Sequence, residues 1–431
     1  MERIPSDGVR AGDSPRSAAV PSCDLLMVGC GLRGLGLLTA TPALFGFDLA
    51  VVDAGSELGV GAFRDYDIES NSNGSDFFGW IDPAGPFAGL LTEGPIERLR
   101  STNTGFRLAL LADALACAGR SIRAMLPPGR VFQRDVVVEI ELPIHGSDES
   151  GPVHVRTLSG RTLQAQTVVL ATGIRERPGN ELAALGDKVV SSRRLLRPDA
   201  RERCVALGES TKPVCIVGAS HSAFSVLARM VGRPGASPAA GDITLVSRSP
   251  VKVYYESWGE YARTPHTAAE ATPVLGRDVC PETGTVHRYS GLRNTAKALF
   301  HAVAAGQVPG VRIVVSRNTA DHMRRLEAAD TVIQATGYGS NLPRLTRGGR
   351  PVECLHTRGS VRLDGRGRLC TVNGVHPSLF VMGMDPYPYD DNSVNPTSQY
   401  ARRGGHLLDH LTARGTGIDR PMLPALTKDS Y

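Results

Sequence analysis

Three glycines spaced as Gly29-Cys30-Gly31-Leu32-Arg33-Gly34 lie between the apolar run DLLMV and a stretch of helical character. Such a turn divides its work. Gly29 makes the sharp bend, Gly31 lets backbone approach a pyrophosphate, and Gly34 lets helix pack on strand. The amides that open the helix then face the phosphates. Nineteen residues beyond Gly34, Asp53 ends the next strand, LAVVD, where a carboxylate can bind ribose hydroxyls. An acid in that place suits an adenosine with a free 2′-hydroxyl, meaning FAD or NAD. The position near the N-terminus, ahead of a second such unit, favours FAD.

The second unit, VCIVGASHSAFSVL from Val214 to Leu227, keeps the tight turn at Gly218 but has Ser220 and Ala223 where glycines are usual. Its next strand, Ile243–Val246, ends in Ser247-Arg248-Ser249 without an acid. The fixed, planar charge of Arg248 suits the 2′-phosphate of NADPH, and the Ser220 hydroxyl can add a phosphate contact. Two further strands end alike, TVVLATG and DTVIQATG, with Thr172-Gly173 and Thr336-Gly337-Tyr338 at their carboxyl ends. Cofactors bind at that edge of open α/β sheets, and glycine there allows backbone to run beside them.

These residues need two strand–turn–helix units to hold them, which implies an α/β fold with two Rossmann-like domains and a parallel sheet in each. The NADPH domain is read as an insertion in the FAD domain. Residues 1–21 form a disordered tail, 22–205 and 346–431 the FAD domain, and 206–345 the NADPH domain, with an irregular insertion at 250–292. VFQRDVVVEIEL, GPVHVRTL and AQTVVLATG read as successive strands, with a hairpin turn at 146–151. A helix is expected over 292–303 and a closing helix after Pro396.

At 431 residues the chain exceeds one core. A formal charge of +5 and the lack of a Lys/Arg run argue against a nucleic-acid partner. The eight cysteines show no CxxC spacing, which disfavours a redox disulfide or a metal site and suits a reducing cytoplasm. No apolar run reaches the ~18 residues of a membrane span, and the first twenty residues lack a signal-peptide core. A homo-oligomer is compatible with all of this.

Together, two glycine turns and two Ala-Thr-Gly strand ends resemble the two-dinucleotide-binding flavoproteins. The nearest resemblance is to the class B type flavin monooxygenases, and among them the N-hydroxylating branch acting on ornithine, lysine and similar amines. That branch's D-x-x-x-[LF]-A-T-G-Y pattern is matched at Asp330 and at Ala335 to Tyr338, with Gln334 in place of Leu or Phe. Ser222-Ala223 match its second turn, and His221 stands where it often has Gln. The F-x-G-x-x-x-H element of Baeyer–Villiger enzymes is absent. The resemblance implies FAD, NADPH and molecular oxygen, with oxygen transfer from a C4a-peroxyflavin to a nitrogen or sulfur of a small amine, amino acid or thiol. It also implies that Asp385, in Gly383-Met384-Asp385, lies beside the flavin's ribityl chain.

No catalytic triad is present, and the cofactor carries the chemistry in such enzymes. His221 is a candidate near the nicotinamide. Asn71 and Asp76, in ESNSNGSDFFGW after the flavin unit, are candidates for the pocket or members of a solvated loop. Tyr254, Tyr255 and Trp258 either line a substrate mouth or, as is commoner for such residues, pack the domains together. Two other readings stay open: a flavin-dependent NAD(P)H reductase that does not activate oxygen, and a non-enzymatic dinucleotide-binding protein.

Overall fold

The computed structural model describes residues 20–144, 151–176, 179–232, 242–357, 360–383 and 399–415. The first glycine turn joins β1 (Ser22–Val28) to α1 (Leu32–Ala40), and β2 (Leu49–Asp53) follows. Leu25, Leu26 and Met27 are wholly buried although they point to alternate faces. That is the mark of a strand covered on both sides in a parallel sheet. β1 pairs in parallel with β2 on one side and with β6 (Thr162–Leu170) on the other.

The rest of the first sheet departs from the all-parallel expectation. The run read as one strand over VFQRDVVVEIEL divides into β3 (Val131–Gln133), which pairs with β2, and β4 (Val137–Leu142). The break falls at Arg134, whose φ of +55° is unusual for a residue with a Cβ. β4, β5 (Val153–Thr157) and β6 form an antiparallel meander. Along β5, buried Val153, Val155 and Thr157 alternate with exposed His154 and Arg156, the pattern of a strand wetted on one face. The hairpin turn read at 146–151 falls almost wholly outside the described residues.

β6 is followed by Ala171-Thr172-Gly173, and the chain continues through β7 (Ile174–Glu176) into a second sheet. This sheet contains β8 (Val189–Ser191), β9 (Val214–Val217), β10 (Ile243–Ser247), β11 (Val311–Val315) and β12 (Thr331–Gln334), in the order β11-β10-β9-β12-β8. All its pairings are parallel, as expected for a Rossmann-like unit. The boundaries at 206 and 345 therefore need correcting. The first falls inside the helix Arg201–Glu209, well after β8 has joined the second sheet. The second falls inside β14 (Arg344–Arg347), which pairs with β4 of the first sheet. Short strands such as β8 carry too little periodicity to reveal their sheet.

Two crossings connect the domains, and they form one ribbon: β7 pairs antiparallel with β13 (Tyr338–Ser340). Gly374–Val381 then returns to β6, and helix Gln399–Ala413 packs on α1. The contact is close, since a Cβ on Gly36 would lie 2.5 Å from the Tyr400 ring. Tyr400 is buried there, edge-on to Trp80.

The same helix carries a titrating group. Burial lowers the His410 pKa to about 4, and Arg414, Arg368 and Arg366 push the same way. In the unfolded chain the pKa is about 6.5, so protons bind the unfolded state preferentially between those values. The His410 contribution to stability is complete above pH 6.5 and is lost as pH falls towards 4. Thermal melts from pH 7.5 to 4.5 should show Tm falling on the acid side, with a shallower fall in His410→Gln.

Candidate functional site

At the first turn Gly29 has φ +83°, and a Cβ there would stand 2.7 Å from the Ala171 carbonyl oxygen. Gly34 is equally constrained, with its Cβ position 2.6 Å from the Gly29 carbonyl oxygen. Gly31 differs: a Cβ would meet nothing nearer than Gly61 Cα at 3.5 Å. Two glycines thus pack the turn and the middle one keeps a face clear. α1 has no side-chain cap and no acid in its first turn, so nothing there offsets its positive end, which suits a pyrophosphate. These residues fit FAD.

Asp53 does more than ribose recognition requires. Its Oδ2 accepts from the Cys30 amide at 2.6 Å and its Oδ1 from the Gly55 amide at 2.7 Å. Burial raises its pKa and those two amides oppose the rise. The carboxylate therefore braces the glycine turn from the next strand, with lone pairs remaining for a ribose. Gly383 reaches the same place: its Cβ position lies 2.5 Å from the Arg33 side chain. Asp385 and the helix start near Pro396 lie outside the described residues.

The second turn repeats the geometry with altered residues. Gly218 has φ +130°, and its Cβ position collides with the Ala335 carbonyl oxygen of the second Ala-Thr-Gly. Ala223 is fully buried, so a methyl fits where glycine is usual. Ser220, the N-cap of helix His221–Val231, is exposed and extended, and its hydroxyl caps nothing. It is available to a phosphate. The Ser222 hydroxyl lies 3.5 Å from the Tyr338 hydroxyl, which ties this helix to the ATGY segment. Arg248 stands exposed at the end of β10 in an ion pair with Glu181. These residues fit NADPH, whose 2′-phosphate would displace a solvent-screened partner worth little by itself.

Both Ala-Thr-Gly ends meet at the ribbon. Thr172 Oγ1 donates to the Asn341 carbonyl, the Asn341 side chain returns a bond to the Thr172 carbonyl at 3.3 Å, and its amide bonds Gly173 O at 3.2 Å. Gly173 and Gly337 have φ of +72° and +95°, with open space at both Cβ positions. Thr336 adjoins them in sequence, just before Gly337. Asn341 was not a sequence candidate, because only the paired strands reveal its part.

Two of the candidate catalytic residues, His221 and Asn71, act as links. His221 Nε2 lies 2.9 Å from the Glu69 carbonyl, so this nitrogen carries the proton, while Nδ1 is buried without a partner. Burial lowers the His221 pKa. A neutral ring therefore latches the helix His221–Val231 to the segment that follows the first glycine-turn unit. Asn71 bridges to the 250–292 insertion, donating to Gly291 O at 3.3 Å and accepting from Arg293 N at 3.2 Å. Asp76 is exposed and accepts from the Asn73 amide in a local capping box.

The insertion lacks a regular period but is packed, not loose. Tyr255 is fully buried, with its hydroxyl 2.6 Å from Glu270, so it is a packing residue and lines no mouth. Trp258 opens a short helix and is exposed, whereas half-buried Tyr254 faces the Arg293 guanidinium 3.8 Å from its ring centre. Among the described residues no cluster could hold a metal, and no helix is long and apolar enough to cross a membrane.

No protein-family model matches this chain. A curated relative, the CMP-5′-(3-aminopropyl)phosphonate hydroxylase of Streptomyces rubellomurinus, is 29% identical over 340 residues, which cover 72% of this chain and 75% of that protein. The ornithine N-hydroxylase of Kutzneria sp. 744, solved with reduced FAD, NADP⁺ and L-ornithine, superimposes with a TM-score of 0.57 at 16% identity, over 91% of this chain and 100% of that one. Ornithine hydroxylase from Pseudomonas aeruginosa gives 0.58 at 16% identity, covering 90% and 100%. The fold is the two-dinucleotide-binding flavoprotein fold of the flavin monooxygenases, as the motifs implied. Its reach is wider than hydroxylation: the bacillithiol disulfide reductase of Staphylococcus aureus matches with a TM-score of 0.50 at 11% identity, over 90% of this chain and 99% of that one.

Proposed function

We propose that this protein is an FAD- and NADPH-dependent monooxygenase that hydroxylates the primary-amine nitrogen of a small metabolite. The observation that carries the reading is the pairing of two unlike dinucleotide turns across one ribbon. Gly29, Gly31, Gly34 and Asp53 suit FAD; Gly218, Ser220, Ser222, Ala223 and Arg248 suit NADPH. Thr172, Gly173, Thr336, Gly337 and Tyr338 lie where both cofactors would converge. The hydroxylase relative supports nitrogen as the target, since its named substrate carries an aminopropyl group.

When bound, FAD and NADPH supply the hydride transfer and oxygen activation. The chain supplies position and shelter. The His221 latch and the Asn71 bridge hold the Glu69–Asp76 segment between the two domains, beside the insertion. The amine must arrive unprotonated to attack oxygen, which favours a site from which bulk water is excluded.

The disulfide-reductase alternative shares the fold but finds no redox pair here. All eight cysteines are unpaired, and all but Cys354 are buried. Burial raises the Cys30 thiol pKa far out of the reactive range and that of Cys215 to about 12. Free thiols also support a cytoplasmic location, and the modest charge supports a small-molecule partner in place of nucleic acid.

Arg248→Ala tests the NADPH half. Loss of a charge-assisted contact to the 2′-phosphate should raise the KM for NADPH roughly tenfold or more and leave that for NADH nearly unchanged. Equal effects on both would remove Arg248 from phosphate recognition.

A further inference from the structure

Between His287 and Asn294 the insertion turns back on the flavin domain and presents two arginines. His287 and Asn294 have φ of +46° and +50°, so strained backbone brackets the loop at both ends. A Cβ on Gly291 would collide with the Tyr254 amide, which keeps the loop tight. Arg293 lies over the Tyr254 ring and Arg288 over the Tyr289 ring, at 3.8 and 5.2 Å. Arg293 Nη2 also donates to the Arg288 carbonyl. All four side chains are half-buried, and each tyrosine lies within the field of both guanidinium groups.

Among the described residues neither guanidinium forms an ion pair. The neighbouring carboxylates are committed elsewhere. Glu69 accepts from the Thr295 amide at 3.2 Å. Asp278 accepts from Arg277 and the Val274 amide, with Lys252 beside it at 3.6 Å. Asp76, whose field does reach Arg293, is exposed and bonded to the Asn73 amide. Two partly buried cations share only the fields of exposed Asp76 and Glu256, neither of which bonds them, and this leaves an unmet demand for negative charge.

The loop is also in the right place. Asn71 joins it to the segment that follows the flavin unit, and His221 joins that same segment to the NADPH helix. We propose that Arg288 and Arg293 bind a phosphonate or phosphate group at the end of the substrate remote from its amine. This deepens the N-hydroxylase reading and rests on it for the amine. A tetrahedral dianion offers enough oxygens for two planar forks, and it balances two positive charges. The α-amino acid end of ornithine or lysine would add an ammonium group to a site that is already cationic.

The test is calorimetric titration of the oxidised FAD-loaded protein with 3-aminopropylphosphonate, β-alanine, ornithine and 3-aminopropanol. The phosphonate should bind at least tenfold more tightly than the other three. Arg288→Gln and Arg293→Gln should each weaken the phosphonate at least tenfold and leave 3-aminopropanol unchanged, with Arg293→Lys recovering part of the loss. Binding of all four ligands within threefold of one another would overturn the proposal. So would unchanged phosphonate affinity in either Gln variant that retains full flavin. Arginine-dependent phosphonate binding without hydroxylation of any amine would uphold this site while removing the N-hydroxylase reading. Hydroxylation of amines without preference for a charged end would do the reverse.

Discussion

Gly218→Ala is expected to yield a yellow protein that dithionite reduces readily but NADPH reduces only slowly. At φ +130° any residue with a Cβ is strained, and here the added carbon would press on the Ala335 carbonyl. Neither neighbour can give way easily. The Gly218 amide is bonded to Val246 O at 2.9 Å, and the Ala335 amide to Val217 O at 2.8 Å. The turn is thus wedged between the ends of β10 and β12, and relief must open the phosphate cradle. The FAD turn belongs to a different sheet and a different core, so flavin should be retained. Stopped-flow reduction should slow about a hundredfold or more, as for a mispositioned bound reactant. Reduction by NADPH near the wild-type rate would take the second turn out of nucleotide binding.

Asp53→Ala should give the converse phenotype, a protein purified largely without FAD and with a lower Tm. The substitution strips acceptors from the Cys30 and Gly55 amides inside the fold, at about 1–3 kcal/mol for each group left unmet. It also removes the carboxylate that can meet the ribose. Asp53→Asn separates these effects, because the amide keeps one acceptor at nearly the same size but loses the charge. Flavin content should then fall between wild type and Asp53→Ala. Full flavin occupancy in the Ala variant, read from absorbance against protein, would show that neither role matters for binding.

What was legible in the sequence was local. Gly29, Gly31, Gly34 and Asp53 belong to one strand–turn–helix–strand passage, and their spacing alone dictates the geometry. Gly218 and Ala223 are readable for the same reason, whereas the part of Ser220 depends on its hydroxyl being left uncapped in the fold. The paired Ala-Thr-Gly ends were visible separately, but their union in a ribbon depends on strands of three residues each. The hairpin from β4 to β5 is readable from the turn residues between them, but the antiparallel pairing of β5 with β6 is not, because buried parallel strands and half-wet strands differ only in a few exposed side chains. Arg288 and Arg293 lay in a region without period, and their meaning comes from Asn71 and His221, far off in the chain. Asp53 carries a task no motif records, since its carboxylate also holds the Cys30 and Gly55 amides.

One measurement bears most directly on the account. Purified FAD-loaded protein is supplied with NADPH, oxygen and a primary amine ending in a phosphonate, and NADPH loss, oxygen uptake and product mass are followed together. The expected result is substrate-dependent consumption of NADPH and oxygen in step, with a product heavier by one oxygen atom borne on nitrogen. Rapid NADPH oxidation onto a quinone or disulfide, with the amine returned unchanged, would contradict it.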